Sequence, residues 1–449
     1  FYVNGGQCPR SIKHGSMRSR IMKPLTATLL CIFLSNTLIA SDAIPSAPQT
    51  TPVAITGATI HTVSGPVIDN GDLLFDHGRI VALGESGTVK IPADAKQVSG
   101  KGRHVYPSLF EAYSQLGLVE VSAVRASRDQ SESGQMNPNV RAQVSVNPDS
   151  ELIPVTRANG VLLALTAPSG GRIAGQAAVI QLDGWTFKEM TLRSGAAMAV
   201  SWPTVPNQLE AKDAKKDPVA SLRDFFDESR AYLEARADDA SSQKSDLKLE
   251  SLRPVLERKM PLLVAANSLA VIQSAVSFAS EQKVRLIIVG GYDAPLCAGL
   301  LKKNNVPVIV SAVYRLPRRR SDGFDVAYTL PARLRDAGIQ FCISGSGSSR
   351  VSNTRNLPYH AATAVAYGLP ADEALKAITL YPAQILGVSK RVGSLERGKN
   401  ATLIMTTGDP LETSTQVTSA WIQGRAVDLS SRHTQLYEKY REKYRQLKR

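Results

Sequence analysis

Histidine and cysteine are both scarce in this chain. Its 449 residues include six histidines and four cysteines, and each shortage excludes a class of chemistry. Four cysteines cannot staple a disulfide scaffold of this length. Cys8 and Cys31 fall within the first 40 residues, while Cys297 and Cys342 sit in apolar contexts on separate elements and read as core thiols. The histidines are scattered as His14, His61, His77, His104, His360 and His433, and none closes an apolar run of strand length. Aromatic residues make up 6% of the chain, and its basic residues are spread along it. Nucleic-acid binding is therefore not indicated, even though the formal charge is +14.

The chain also lacks an apolar run long enough to be a clear membrane span. The candidate is Leu25 to Ala40, preceded by Arg18, Arg20 and Lys23 and followed by small residues at Ala40 and Ala43. A basic region, a short apolar stretch and a small-residue exit form a secretory signal, with residues 1–43 as upstream sequence plus signal peptide. A retained anchor is the alternative. Removing residues 1–40 takes away Arg10, Lys13, Arg18, Arg20 and Lys23 and no acid, so the charge falls to +9. The expected location is secreted or periplasmic, and the remaining positive charge suits anionic envelope surfaces or ligands.

Length and 43% hydrophobic content suit one large α/β unit plus a smaller one. After a polar linker at 41–52, residues 53–103 show short strands around a turn at Asp76–Gly78. Apolar runs of strand length then recur at 104–112, 160–167, 177–182, 197–202, 261–266, 285–290, 306–312 and 340–345. Helical spacing lies between several of them, as in "LAVIQSAVSFASEQ". Eight strands with interleaved helices predict a (β/α)8 TIM-like barrel. Strand patterning returns at 392–430. The last segment, 431–449, is a basic helix with Leu436, Tyr437, Tyr440, Tyr444 and Leu447 on one face. Packing against the barrel is the expectation for that face, with a membrane surface as the alternative.

The chain ends carry a family likeness. "GSLERGKNATL" near the C-terminus, "ITGATIHTVSG" followed by "DLLFDHGRIVALG" near the start, and "HVYPSLFEA" resemble amidohydrolase-superfamily proteins of the imidazolonepropionase-like group. The resemblance covers roughly residues 53–427. It implies an α/β fold: a barrel over 104–391 and a small β-sandwich composed of 53–103 and 392–430. The activity it implies is hydrolysis of non-peptide, often cyclic, C–N bonds. It also implies divalent metal, usually zinc, which lowers the pKa of bound water toward about 7.

The residues that resemblance requires are missing. The His-x-His pair ending strand 1 falls on Tyr113 and Gln115. The strand 5 and strand 6 histidines fall on Ala265 and Gly290, and the strand 8 aspartate on Ser346 or a neighbour. Phenol, amide, methyl and hydroxyl groups are poor zinc donors, so no metal and no cofactor are expected. Glu111, Glu120 and Asp293 are carboxylates near strand ends that could do other work, but the leading reading of Glu111 is a residue salt-bridged to a barrel-lining Arg or Lys. The loops after strands 7 and 8 carry Arg315, Arg318, Arg319, Arg320, Arg350 and Arg355, with Gly345 and Gly347. Arg350, Arg355, Gly345 and Gly347 form a candidate site for a small anionic ligand at the barrel's C-terminal face. The sequence therefore reads as a degenerate amidohydrolase acting as a binding subunit, homo-oligomeric or paired with an intact relative. An active hydrolase with a non-standard site is the alternative.

Overall fold

The computed structural model describes residues 44–203, 217–238, 244–345 and 351–447. The first sheet draws on both ends of the chain. It comprises β1 (Val53–His61), β2 (Val67–Asp76), β3 (Arg79–Glu85), β4 (Lys96–Ser99) and β5 (His104–Pro107), and later β14 (Leu403–Thr406), β15 (Val417–Ile422) and β16 (Arg425–Ala426). Their order is β16-β15-β14-β5-β1-β2-β3, with β4 also on β1. The β2–β3 hairpin closes on His77 and Gly78, with φ of 46° and 76°. Two successive positive φ values give the primed turn that matches strand twist. Ile55, Leu73, Phe75, Leu403 and Trp421 fill the sheet's core.

The second sheet is the barrel. It runs in sequence order through β6 (Leu109–Ser114), β7 (Val161–Thr166), β8 (Ile173–Gln181), β9 (Thr191–Val200), β10 (Leu262–Ala266), β11 (Leu286–Gly290), β12 (Val308–Ser311) and β13 (Phe341–Ser344). Each of the eight apolar runs supplies one of these strands. The run 104–112 divides at Ser108: β5 joins the first sheet and β6 opens the barrel. Side chains alternate as period-2 patterning requires. Leu163, Leu165, Leu263, Ile287, Ile309 and Cys342 fill the lumen. Leu162, Leu262, Val264, Ile288, Val308 and Ile343 face outward among the helices, including Leu269–Glu281 and Leu357–Ala366.

One strand departs from the regular barrel. β8 is antiparallel to both β7 and β9, while the other pairs along the sheet are parallel. Only Ala167–Arg172 joins β7 to β8, and Gly170 and Gly171 both have positive φ. A parallel return needs a crossover of a dozen residues or more, so this short link forces a hairpin. The interleaved helices read from the sequence are missing at that point.

The C-terminal helix, Arg432–Gln446, also differs from its expected packing. None of its residues is buried. Among the described residues, no helix is long and apolar enough to cross a membrane.

Candidate functional site

The C-terminal ends of the parallel strands converge on one mouth, where Tyr113, Gln115, Ala265 and Gly290 all lie. On the strand 1 and strand 8 side, Glu111 dominates. It is fully buried. Its Oε1 accepts from the Ser344 hydroxyl and, at 3.1 Å, from the Tyr113 N–H, while Oε2 accepts from the Gly345 N–H at 2.9 Å. Ser344 Oγ also donates to the Tyr113 carbonyl at 3.1 Å. β6 and β13 are the two ends of the sheet path, and no backbone ladder joins them among the described residues. The Glu111 carboxylate thus bridges the seam by which the barrel closes. Its described partners include a hydroxyl and two backbone amides. Burial, then the nearby Glu111 carboxylate, pushes the Cys342 thiol well up. Cys342 and Cys297 are both buried free thiols.

Tyr113 packs against the lumen cluster, and burial raises its phenol above the usual range. Gln115 Nε2 donates to Ser169 Oγ at 3.0 Å. Gln115 and Ser169 line a cleft of about 610 Å³ together with Glu120, Arg128, Gln130 and the turn Val351–Asn353. Gln130 Oε1 is buried there with no hydrogen-bond partner.

The strand 5–7 side is different. Ala265 is exposed on an otherwise buried strand. Gly290 has φ of 103°, and a Cβ there would lie 2.6 Å from Asn267 Oδ1. No L-residue fits without moving both backbone and Asn267. The same Asn267 Oδ1 accepts from Arg315 Nη1 at 3.1 Å. The Arg315 guanidinium lies 5.7 Å from the Tyr292 ring centroid. Burial, then the nearby Arg318, lowers the pKa of Arg315, and no carboxylate pairs with it among the described residues. Arg319 is neutralised by Asp293 at 2.7 Å and Asp322 at 2.9 Å.

The other carboxylate candidates have structural partners. Glu120 accepts from Ser150 Oγ and the Glu151 N–H at the start of helix Leu152–Arg157. Asp293 accepts from the Leu269 N–H and holds Arg319. His360 is buried, and its Nδ1 accepts from the Val313 N–H at 3.1 Å, just after Ala312 with φ of 58°. Burial lowers its pKa to about 4, against a small opposing effect of the Gly345 backbone. It is a neutral clamp on the strand 7 loop.

Of the anion candidates, Gly345 spends its N–H on Glu111. A Cβ there would meet the Leu357 backbone at 2.9 Å, so close helix packing explains the glycine. Arg355 Nη1 lies 2.8 Å from His433 Nδ1. Ser346, Gly347 and Arg350 fall outside the described residues, as does the proposed signal at 1–43. Asn267 and Ser169 are functional candidates that the sequence reading missed. Asn267 stood two places beyond Ala265 and carried a legible signal. Ser169 carried none.

A zinc ion of the kind the resemblance implies does not fit the described mouth. Its strand-end groups there are a phenol, an amide, a methyl and a hydrogen. Among the described residues, no three His, Cys, Asp or Glu side chains are placed to hold a metal.

The geometry defines a barrel of the amidohydrolase type, and comparison with known proteins agrees. The Amidohydrolase family model matches residues 332–427. Amidohydrolase tasK of Hapsidospora irregularis is 22% identical over 398 residues, covering 79% of this chain and 40% of that protein, so the match spans less than half of the relative's length. The crystal structure of an amidohydrolase from Thermotoga maritima MSB8 superposes with a TM-score of 0.75 at 25% identity, covering 84% of this chain and 99% of that one. An adenosine deaminase from Xanthomonas campestris, solved with bound zinc, shares the fold at a TM-score of 0.51 and 16% identity, covering 89% and 100%. These matches make the chain similar to proteins of the amidohydrolase superfamily, in its C-terminal part by sequence and across the barrel by fold.

Proposed function

We propose that this chain is an exported, metal-free member of the superfamily, close to its imidazolonepropionase-like group, whose barrel binds a small anionic ligand and does not hydrolyse it. It acts as a binding subunit, in a homo-oligomer or beside an intact relative. The observation that carries the reading is Gly290. Its backbone conformation and the Asn267 side chain against it leave no room for a ligating imidazole, so the strand 6 position is rebuilt around a hydrogen atom. Arg315, half-buried and bonded among the described residues through Asn267, supplies positive charge beside that position. A guanidinium with unspent donors is suited to carboxylate or phosphate.

Two measurements test this. Elemental analysis of protein purified without chelator is expected to find far less than one zinc per chain. Calorimetry against carboxylated and phosphorylated metabolites is expected to find a binder that is recovered unchanged. Stoichiometric zinc, or turnover of a C–N bond in the recovered compound, overturns the reading in favour of a hydrolase.

A further inference from the structure

The C-terminal helix Arg432–Gln446 exposes an apolar stripe that nothing in the described chain covers. Tyr437 and Tyr444 are each 63% exposed, Tyr440 is 50% and Leu447 is 71%. They recur at spacings of three, four and three residues, which is one face of a helix. The helix begins in a capping box at Ser431 and Thr434. His433 meets Arg355 on the turn after strand 8, so the helix is rooted at the rim of the barrel mouth.

The charges around the stripe are sorted. At about 100° per residue, Arg441 and Lys443 flank its centre within about 90° on either side, whereas Glu438 and Glu442 fall about 150–170° away. The glutamates pair with Arg441 and Arg445 along the helix. Arg432, Lys439 and Lys443 keep their charge, and Lys448 and Arg449 follow in the sequence. An apolar stripe bordered by cations, with acids at the far pole, is complementary to an anionic surface.

We propose that this helix lies flat on an anionic lipid surface, with the tyrosine rings at headgroup depth and the flanking cations on lipid phosphates. Tyrosine has an apolar ring and a polar tip, which suits a boundary with one dry and one wet side. A second copy of the helix fits poorly. Arg441 and Lys443 occupy both borders of the stripe, so two copies bring like charges together in either orientation.

The test is flotation of the full chain with vesicles of phosphatidylglycerol and phosphatidylethanolamine, or of phosphatidylcholine alone. Two variants are compared with the unmodified chain: Tyr437→Ser with Tyr440→Ser and Tyr444→Ser, and Arg441→Glu with Lys443→Glu. Because the stripe is unpacked, both should keep the parent melting temperature. All three proteins share residues 25–40, so a difference between them reads the helix. The triple variant is expected to lose about tenfold or more of its binding to anionic vesicles, and the charge variant to lose its preference for them over phosphatidylcholine. Raised salt should mimic the charge variant. Equal flotation of the parent and triple variant overturns the proposal, as does no flotation of the parent. A dimer by light scattering that the triple variant abolishes, without any flotation, assigns the stripe to a second copy instead.

Discussion

The two sides of the barrel mouth treat polar groups in opposite ways. On the strand 1 and strand 8 side, Glu111, Ser344, Gly345 and the Tyr113 backbone spend their hydrogen bonds on one another. On the strand 5–7 side, Ala265 is open, Gly290 carries no side chain, and among the described residues Arg315 is bonded to Asn267 and to no carboxylate. The described polar groups at the first side bond to one another across the seam, while at the second side Arg315 meets an amide and Arg319 a pair of carboxylates. A carboxylate in a cleft of an enzyme-like barrel is therefore weak evidence of catalysis until its partners are counted.

Breaking the spent side should have the largest effect. Glu111→Ala removes the acceptor of two amide N–H groups, those of Tyr113 and Gly345, at a buried seam, and takes away the carboxylate that bridges β6 and β13. The expected loss is roughly 3–5 kcal/mol, the sum of several unsatisfied buried donors. Urea unfolding with an unchanged slope would read it as a shifted midpoint. A loss below about 1 kcal/mol would mean that the seam is held elsewhere and that Glu111 is available for another task.

His360 belongs to the same spent class, and its signature is pH. The folded pKa lies near 4 against 6.5 for the free side chain. As pH falls below 6.5 the unfolded chain takes up a proton that the native chain refuses until about pH 4. Stability should therefore fall with acid across that window, by up to about 3 kcal/mol. His61, half-buried beside His104, is also lowered to about 4 and adds a smaller effect. His360→Asn keeps an acceptor for the Val313 N–H and removes the titrating ring, so its stability should vary less between pH 4 and 6.5. An unchanged slope would place the titrating group elsewhere.

How much of this comparison could be read from sequence depends on whether the information is local. The eight apolar runs were legible because strand burial leaves a pattern within each run. The reversal of β8 was not, since a period-2 pattern is the same in either direction; the short glycine-bearing link at 167–172 was the overlooked signal. The strand-end positions of Tyr113, Gln115, Ala265 and Gly290 were legible, each inside a recognisable run. The role of Glu111 was not, because Ser344 stands 233 residues away. The glycine at 345 is legible in sequence, but the close approach of the Leu357 backbone to it is not. That distinction needs the neighbouring helix.

Gly290 sharpens the comparison at lower cost. Gly290→Ala forces an L-residue to φ of 103° and a methyl against Asn267, which should cost about 2 kcal/mol. Asn267→Ala in the same chain relieves the contact but not the backbone strain. A double-mutant cycle should recover part of the loss and leave the rest. Full recovery would make Asn267 the whole obstacle to a side chain there.

The smallest effect on stability is expected at Arg315, where the comparison bears on binding. Arg315→Gln removes a partly exposed charge that bonds to the Asn267 amide and is repelled by its neighbour Arg318, so the fold should change by less than about 0.5 kcal/mol. If the unspent side is the binding side, affinity for inorganic phosphate or short carboxylates should drop about tenfold or more, because the lost guanidinium is the charge closest to Asn267. Arg318→Gln is the control. It keeps the Asn267 contact and removes a nearby charge, so a purely long-range field would lose as much there as at Arg315. Equal losses at the two positions would reduce the site to net charge, and a loss confined to Arg315 would make it a directed contact. A parent chain that binds neither probe would remove the contrast, leaving Arg315 as one more group whose role is to hold Asn267 against Gly290.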